Sequence, residues 1–160
     1  MTRAFLGLGS NLGNRAELLR RAVAQLDESG DLVAVSSAFE TAPVGGPEQG
    51  DFLNIVVELD TTDSPERLLE RCHELEQAAE RVRIERWGPR TLDADVLWVD
   101  GEERSTDELI VPHPRMWERR FVLAPLRQLA PDLVSEESEI RSGGEVTRLG
   151  RLTDVVDESK

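Results

Sequence analysis

Lysine occurs once in the 160 residues, at Lys160, and cysteine once, at Cys72. A lone cysteine excludes an internal disulfide, and Cys72 falls among apolar residues at helical spacing, which reads as a small buried hydrophobe rather than a catalytic thiol. With no lysine inside the chain there is no GxxxxGK[ST], so a P-loop is excluded. No apolar run approaches the ~18 residues that a membrane span needs. The opening MTRAFLGLGSNLG breaks at glycines too early for a signal peptide, so a cytoplasmic protein with no membrane partner is expected. Aromatic residues make up 4% of the chain and the formal net charge is −13. Such a surface repels polyanions and has few rings to stack bases, so no nucleic-acid partner is expected, although a sheet carrying arginines keeps a single-stranded RNA-binding module as the rival class. Acid excess with almost no lysine fits salt adaptation and an arginine-biased, high-GC genome equally.

What is present is globular: 39% hydrophobic and 32% charged residues. That length and balance predict one domain over residues 1–160, and a monomer is expected. Arg3 to Leu8 reads as a buried strand ending at Gly9. The GLGSNLG that follows has the spacing G-x-G-x-x-x-G, which departs from the dinucleotide-binding fingerprint. NRAELLRRAVAQLDE places Leu18, Leu19, Ala22, Val23 and Leu26 on one helix face with Asn14 as its cap. LVAVSSAF reads as a strand, TAPVGGPEQGD as a Gly/Pro loop and FLNIVVELD as another strand. Ser64 and Pro65 start a second helix along Leu68, Leu69, Cys72, Leu75 and Ala79. Arg81 to Leu92 has no period, TLDADVLWV is a strand closed by Asp100-Gly101, and FVLAPLRQLAP is a helix face interrupted by Pro125. From Ser135 onward the signal is weak, with room for one more strand and a short helix. Hairpin-joined strands with interspersed helices predict an α+β sandwich, ferredoxin-like, with helices packed on a mainly antiparallel sheet.

The most informative stretch is RVRIERWGPRTLDADVLWVD, Arg81 to Asp100. In a strand Asp93 and Asp95 point the same way, their Cα atoms ~6.5 Å apart, with Leu97 continuing their face and Ala94, Val96 and Trp98 on the other. Paired carboxylates are unfavourable unless cations lie between them. The plain reading is an exposed strand edge with two harmless acids; the alternative is Mg²⁺, which takes one or two carboxylates, water and substrate phosphates. Arg81, Arg83, Arg86 and Arg90 gather cations just upstream, and Arg115, Arg119 and Arg120 form a second group beside VPHP. Guanidinium groups suit phosphate oxygens, so acids and arginines together suggest a Mg-polyphosphate ligand.

GLGSNLG, ETAPVGGPEQGDFLN, RVRIERWGPRTLDADVL and VPHPRMWERRFVLAPL occur in this order from about Phe5 to Leu133. In that combination the chain resembles the 6-hydroxymethyl-7,8-dihydropterin pyrophosphokinases of folate biosynthesis. The resemblance implies an enzyme with ATP as co-substrate and two Mg²⁺ ions, moving a pyrophosphoryl group to the pterin hydroxymethyl oxygen and releasing AMP. It implies Asp93 and Asp95 as metal ligands and Arg81 and Arg90 as phosphate-contacting catalytic arginines. Glu76, Arg83, Trp87, Val96, His113 and Arg119 match positions at the ATP site. Thr41, Ala42, Val44, Phe52, Asn54 and Phe121 match pterin contacts, the two phenylalanines as a stacking pair. The 81–92 stretch is then expected to be a loop that orders over nucleotide. Phe52, Ala42, Ile110 and His73 stand where tyrosine, proline, threonine and glutamine are common in the family, and Ala94 stands where a larger aliphatic is usual.

Overall fold

The computed structural model describes residues 1–11, 14–41, 51–85 and 92–155, without the side chains of 81–85. Short apolar runs build β1 (Thr2–Ser10) and β4 (Phe52–Thr61), and apolar residues at helical spacing build α1 (Arg15–Asp27) and α2 (Pro65–Glu85). Between α1 and β4 run β2 (Leu32–Val35) and β3 (Ser37–Thr41), so the expected single strand LVAVSSAF breaks at Ser36. After α2 come β5 (Asp93–Val99), the short pair β6 (Arg104–Ser105) and β7 (Ile110–Val111), then α3 (Arg120–Leu129), α4 (Glu136–Arg141) and β8 (Val146–Arg151). Caps set the helix starts. The Asn14 side chain accepts the Glu17 N–H at 3.2 Å, and Ser64 Oγ accepts that of Arg67 at 3.1 Å, ahead of Pro65.

The main sheet runs β5-β1-β4-β3-β8, with β2 also paired to β4, and every pairing in it is antiparallel. The β1-α1-β2/β3-β4-α2-β5 part is the ferredoxin-like arrangement, and α3, α4 and β8 extend it. Because β1 and β4 are covered on both faces, their sequences read as nearly continuous apolar runs. Ala4, Leu6 and Leu8 with Leu53, Ile55, Val57 and Leu59 face α1 and α2, where Leu19, Leu26, Leu68, Cys72 and Leu75 meet them. Phe5, Val56 and Leu97 face the opposite layer, made by Met116, Val122, Leu123 and Leu126. Burial also pushes the Cys72 thiol pKa well up, in keeping with a packing role. No helix among the described residues is long and apolar enough to cross a membrane.

Three expectations are corrected. Trp98 does not share the face of Ala94 and Val96: Phe5 pairs with Trp98 and Leu6 with Val96, so Leu97 is an extra residue in β5. That bulge turns Leu97 and Trp98 successively toward α3 and returns Val99 to the other core. Second, α2 continues to Glu85, so the backbone of 81–85 is helical where an aperiodic loop is expected. Residues 86–91 lie outside the described residues. Third, Pro125 does not interrupt α3. It forfeits one backbone hydrogen bond in the second turn, while the helix keeps Val122, Leu123 and Leu126 in the core.

The two sides of the α1/α2 layer are tied by Arg71. Its guanidinium is 5% exposed as a residue and forks onto Asp31 at 2.8 and 3.1 Å and onto Asp63 at 3.0 Å. The Arg71 hydrogen bond holds the Asp31 carboxyl below the usual aspartate range despite its partial burial. The stabilisation is therefore complete above about pH 4 and is withdrawn as acid protonates Asp31. Arg71→Ala is expected to lower stability at pH 7 by about 2–3 kcal/mol, because two carboxylates lose their partner. Urea titrations at pH 7 and pH 3 check this, and the variant should lose less than the wild type between the two.

Candidate active site

On the α3 side of the sheet, β1 presents no side chain beyond Phe5: Gly7 and Gly9 occupy the next two positions of that face. Gly7 is opposite Val56 on one side and Asp95 on the other, and Gly9 is opposite Asn54 and Asp93. A Cβ on Gly9 would lie 2.7 Å from Asn54 Oδ1, inside any tolerable contact, so this amide needs glycine beside it. The bare strip is the floor of a cleft of about 920 Å³. Its walls are Thr41, Phe52 and Asn54, then Glu76, Asp93, Asp95 and Leu97, then the segment His113 to Val122, closed by Gly143 and Gly144.

Each wall is positioned by the fold. Asn54 and Thr41 are both buried, and Asn54 Nδ2 donates to Thr41 Oγ1 at 3.0 Å, so the amide is held by β3 and β4 together. Since β5 is an edge strand, the Ala94 N–H faces away from β1, and Glu76 Oε2 accepts it at 3.0 Å. On the same edge, the His113 N–H donates to Leu97 O at 2.9 Å, which anchors the segment after β7 to the acid strand. His113 Nδ1 accepts the Arg115 N–H at 3.2 Å, so the neutral ring carries its proton on Nε2. The Arg119 guanidinium lies 5.7 Å from the centre of the Phe121 ring.

The electrostatics are unbalanced. Asp93 and Asp95 reach solvent and have no ion-pair partner among the described residues. Burial by the cleft walls, then repulsion from Asp95, raises the Asp93 pKa. Burial likewise raises that of Glu76, with the Ala94 N–H opposing and Asp93 and Asp95 adding to the rise. Burial lowers that of His113; Asp95 opposes this, and Arg119 and Arg115 reinforce it. Among the described residues no three or more His, Cys, Asp or Glu side chains converge on a metal position. Two unneutralised carboxylates in an open cleft fit Mg²⁺, which fills its octahedron with water and phosphate oxygens, and do not fit a closed protein cage.

A family model described as 7,8-dihydro-6-hydroxymethylpterin-pyrophosphokinase (HPPK) matches residues 5–131. The chain belongs to the HPPK family. A Bacillus subtilis relative named 2-amino-4-hydroxy-6-hydroxymethyldihydropteridine pyrophosphokinase is 43% identical over 157 residues, 97% of this chain and 94% of the relative. A Methylorubrum extorquens protein of the same name is 46% identical over 150 residues, 92% of this chain and 90% of its own. Among solved structures, wild-type Plasmodium falciparum HPPK-DHPS superposes with a TM-score of 0.60 at 14% identity. That likeness covers 81% of this chain and 38% of the Plasmodium chain, and speaks for the fold.

Of the residues marked by the HPPK resemblance, the fold gathers Thr41, Phe52, Asn54, Glu76, Asp93, Asp95, His113, Arg119 and Phe121 around one cleft. Val96 is not brought there: its side chain is buried among the α1/α2 core residues. Ala42, Val44, Trp87 and Arg90, and the side chains of Arg81 and Arg83, lie outside the described residues. Gly7, Gly9, Glu118, Gly143 and Gly144 also line the cleft and are not among the site residues expected from the sequence; Arg115, of the cation group beside VPHP, lines it too. Alternate glycines in a strand pattern were the available signal for the first two. Arg120, grouped with the cations beside VPHP, is taken by Glu139 at 3.2 Å.

Because the folded state raises the Asp93 pKa, the protein is destabilised as pH rises from about 4 through the folded value, and the penalty persists above it. Asp95→Asn removes the repelling charge. With divalent ions chelated by EDTA, the variant should match or exceed wild-type stability at pH 7, within about 1 kcal/mol. A calorimetric melt tests this; a large loss would make Asp95 a structural residue.

Proposed function

We propose that this chain transfers the pyrophosphoryl group of ATP to the hydroxymethyl oxygen of 6-hydroxymethyl-7,8-dihydropterin, releasing AMP, as a step of folate biosynthesis. The pair Asp93 and Asp95 would hold two Mg²⁺ ions with the ATP phosphates. The observation that carries this reading is the facing of Asn54 and the unneutralised pair Asp93 and Asp95 across the bare glycines of β1. One wall can read the edge of a flat heterocycle while the other gathers phosphate, and the transferred group lies between them.

Phe52 and Phe121 offer rings to the pterin, and Asn54, held by Thr41, offers an amide to its edge. Glu76 acts on the acids through the backbone: by accepting the Ala94 N–H it fixes the strand segment between Asp93 and Asp95. His113, neutral and protonated on Nε2, is a hydrogen-bond donor toward phosphate rather than a base. Arg119 places a guanidinium where negative charge accumulates on the phosphates. Bound Mg²⁺ supplies charge neutralisation and lowers the pKa of the attacking hydroxyl. The protein's part is alignment of the oxygen with the β-phosphorus, exclusion of water and stabilisation of charge, as is usual in phosphoryl transfer.

Incubation with MgATP and 6-hydroxymethyl-7,8-dihydropterin should produce AMP in step with pyrophosphorylated pterin, and EDTA should stop it. ADP as the main nucleotide product, read by chromatography, overturns the reaction. Phe121→Ala should weaken pterin binding by roughly 1–3 kcal/mol, the range for stacking on an aromatic side chain, and ATP-analogue binding much less. Isothermal titration with each ligand separates the two, and equal losses would assign Phe121 to packing.

A further inference from the structure

In a chain with a net charge of −13, arginines find carboxylates readily. Arg3 pairs with Glu58 and Asp132, Arg104 with Glu66 and Glu102, and both Arg120 and Arg127 with Glu139. Arg115 is an exception. Its guanidinium makes no ion pair among the described residues, and neither does that of Arg119, yet both line the cleft. Glu118 also lines the cleft but does not pair with either of them. Two guanidinium groups on one cleft wall, neither neutralised by a carboxylate among the described residues, favour an anion between them.

The position of Arg115 is set by the acid strand. Its N–H is bonded to the His113 ring, and the His113 N–H is bonded to Leu97 of β5, two residues beyond Asp95. The His113 ring, whose pKa burial lowers first, is near enough to both Asp95 and Arg115 to feel their charges, with opposite sign.

We infer that Arg115 is a further ligand for the phosphate chain of the nucleotide, a second guanidinium in addition to Arg119 on the cleft wall formed by the segment after β7. This rests on the function proposed above. Arg115 is exposed and is not part of either hydrophobic core, so its replacement leaves the packing of the fold in place. Arg115 therefore tunes affinity for the triphosphate and not for the nucleoside or the pterin.

Titration calorimetry of the full chain with a non-hydrolysable MgATP analogue, with adenosine and with the pterin tests this in wild type, Arg115→Gln, Arg115→Lys and Arg148→Gln. Arg148 is equally without a carboxylate partner but is bonded to Ser37 away from the cleft, and it controls for net charge. Arg115→Gln should weaken the analogue ~tenfold, as loss of one charge-assisted contact does, and leave adenosine and pterin unchanged. Arg115→Lys should recover part of the loss, and Arg148→Gln should lose none. Unchanged analogue affinity in Arg115→Gln, an equal loss for adenosine, or an equal loss in Arg148→Gln overturns the assignment. Failure of the wild type to bind the analogue or turn over would instead overturn the function on which it rests.

Discussion

The cleft depends on the register of β1 between β4 and β5. Gly9 opposes Asn54 and Asp93, and Gly7 opposes Val56 and Asp95, so an amide and two carboxylates share one face across a strip with no side chains. A slip of one residue would exchange the faces: Leu6 and Leu8 would fill the cleft and the glycines would leave holes under α1 and α2. The hydrophobic pattern of β1 thus sets the register that places the site. Its α1/α2 face carries Ala4, Leu6 and Leu8, and a one-residue slip would take all three out of that core.

Charge is distributed with the same economy. Away from the cleft, described arginines are mostly tied to acids, and Arg71 is buried with Asp31 and Asp63 to lock two turns together. At the cleft the pairing stops. Asp93 and Asp95 stand on one wall and Arg115 and Arg119 on another, each set without partners of opposite sign among the described residues. The cleft walls thus carry unneutralised charge of both signs, the complement of the magnesium-bound polyphosphate proposed as ligand. On the acid side, burial first and repulsion from Asp95 second raise the Asp93 pKa.

Much of the fold was legible because its signals are local. Asn14 and Ser64 announce helices that begin where they cap them, and the alternation in FLNIVVELD and DADV states which side chains face together. Asp93 and Asp95 could be placed on one face by the two-residue period alone, and the motifs around them carried the family resemblance. Less legible was the bulge at Leu97, which moves Trp98 to the α3 layer, because it depends on which residues of β1 are opposite. The run of α3 through Pro125 was hidden for a similar reason: burial against Phe5, Val56 and Leu97 outweighs one lost hydrogen bond.

By itself, then, the sequence determined the elements, their buried faces and the common face of the two aspartates, since these follow from backbone periodicity and neighbouring side chains. Only the tertiary structure decided which partners meet. It separated Arg120, claimed by Glu139 of α4, from Arg115 and Arg119, left to the cleft. It set Glu76 under the Ala94 amide and brought Gly143 and Gly144 from a weakly patterned region to close the far wall. Such pairings join residues far apart in the chain, and their energies depend on distances that no local pattern encodes.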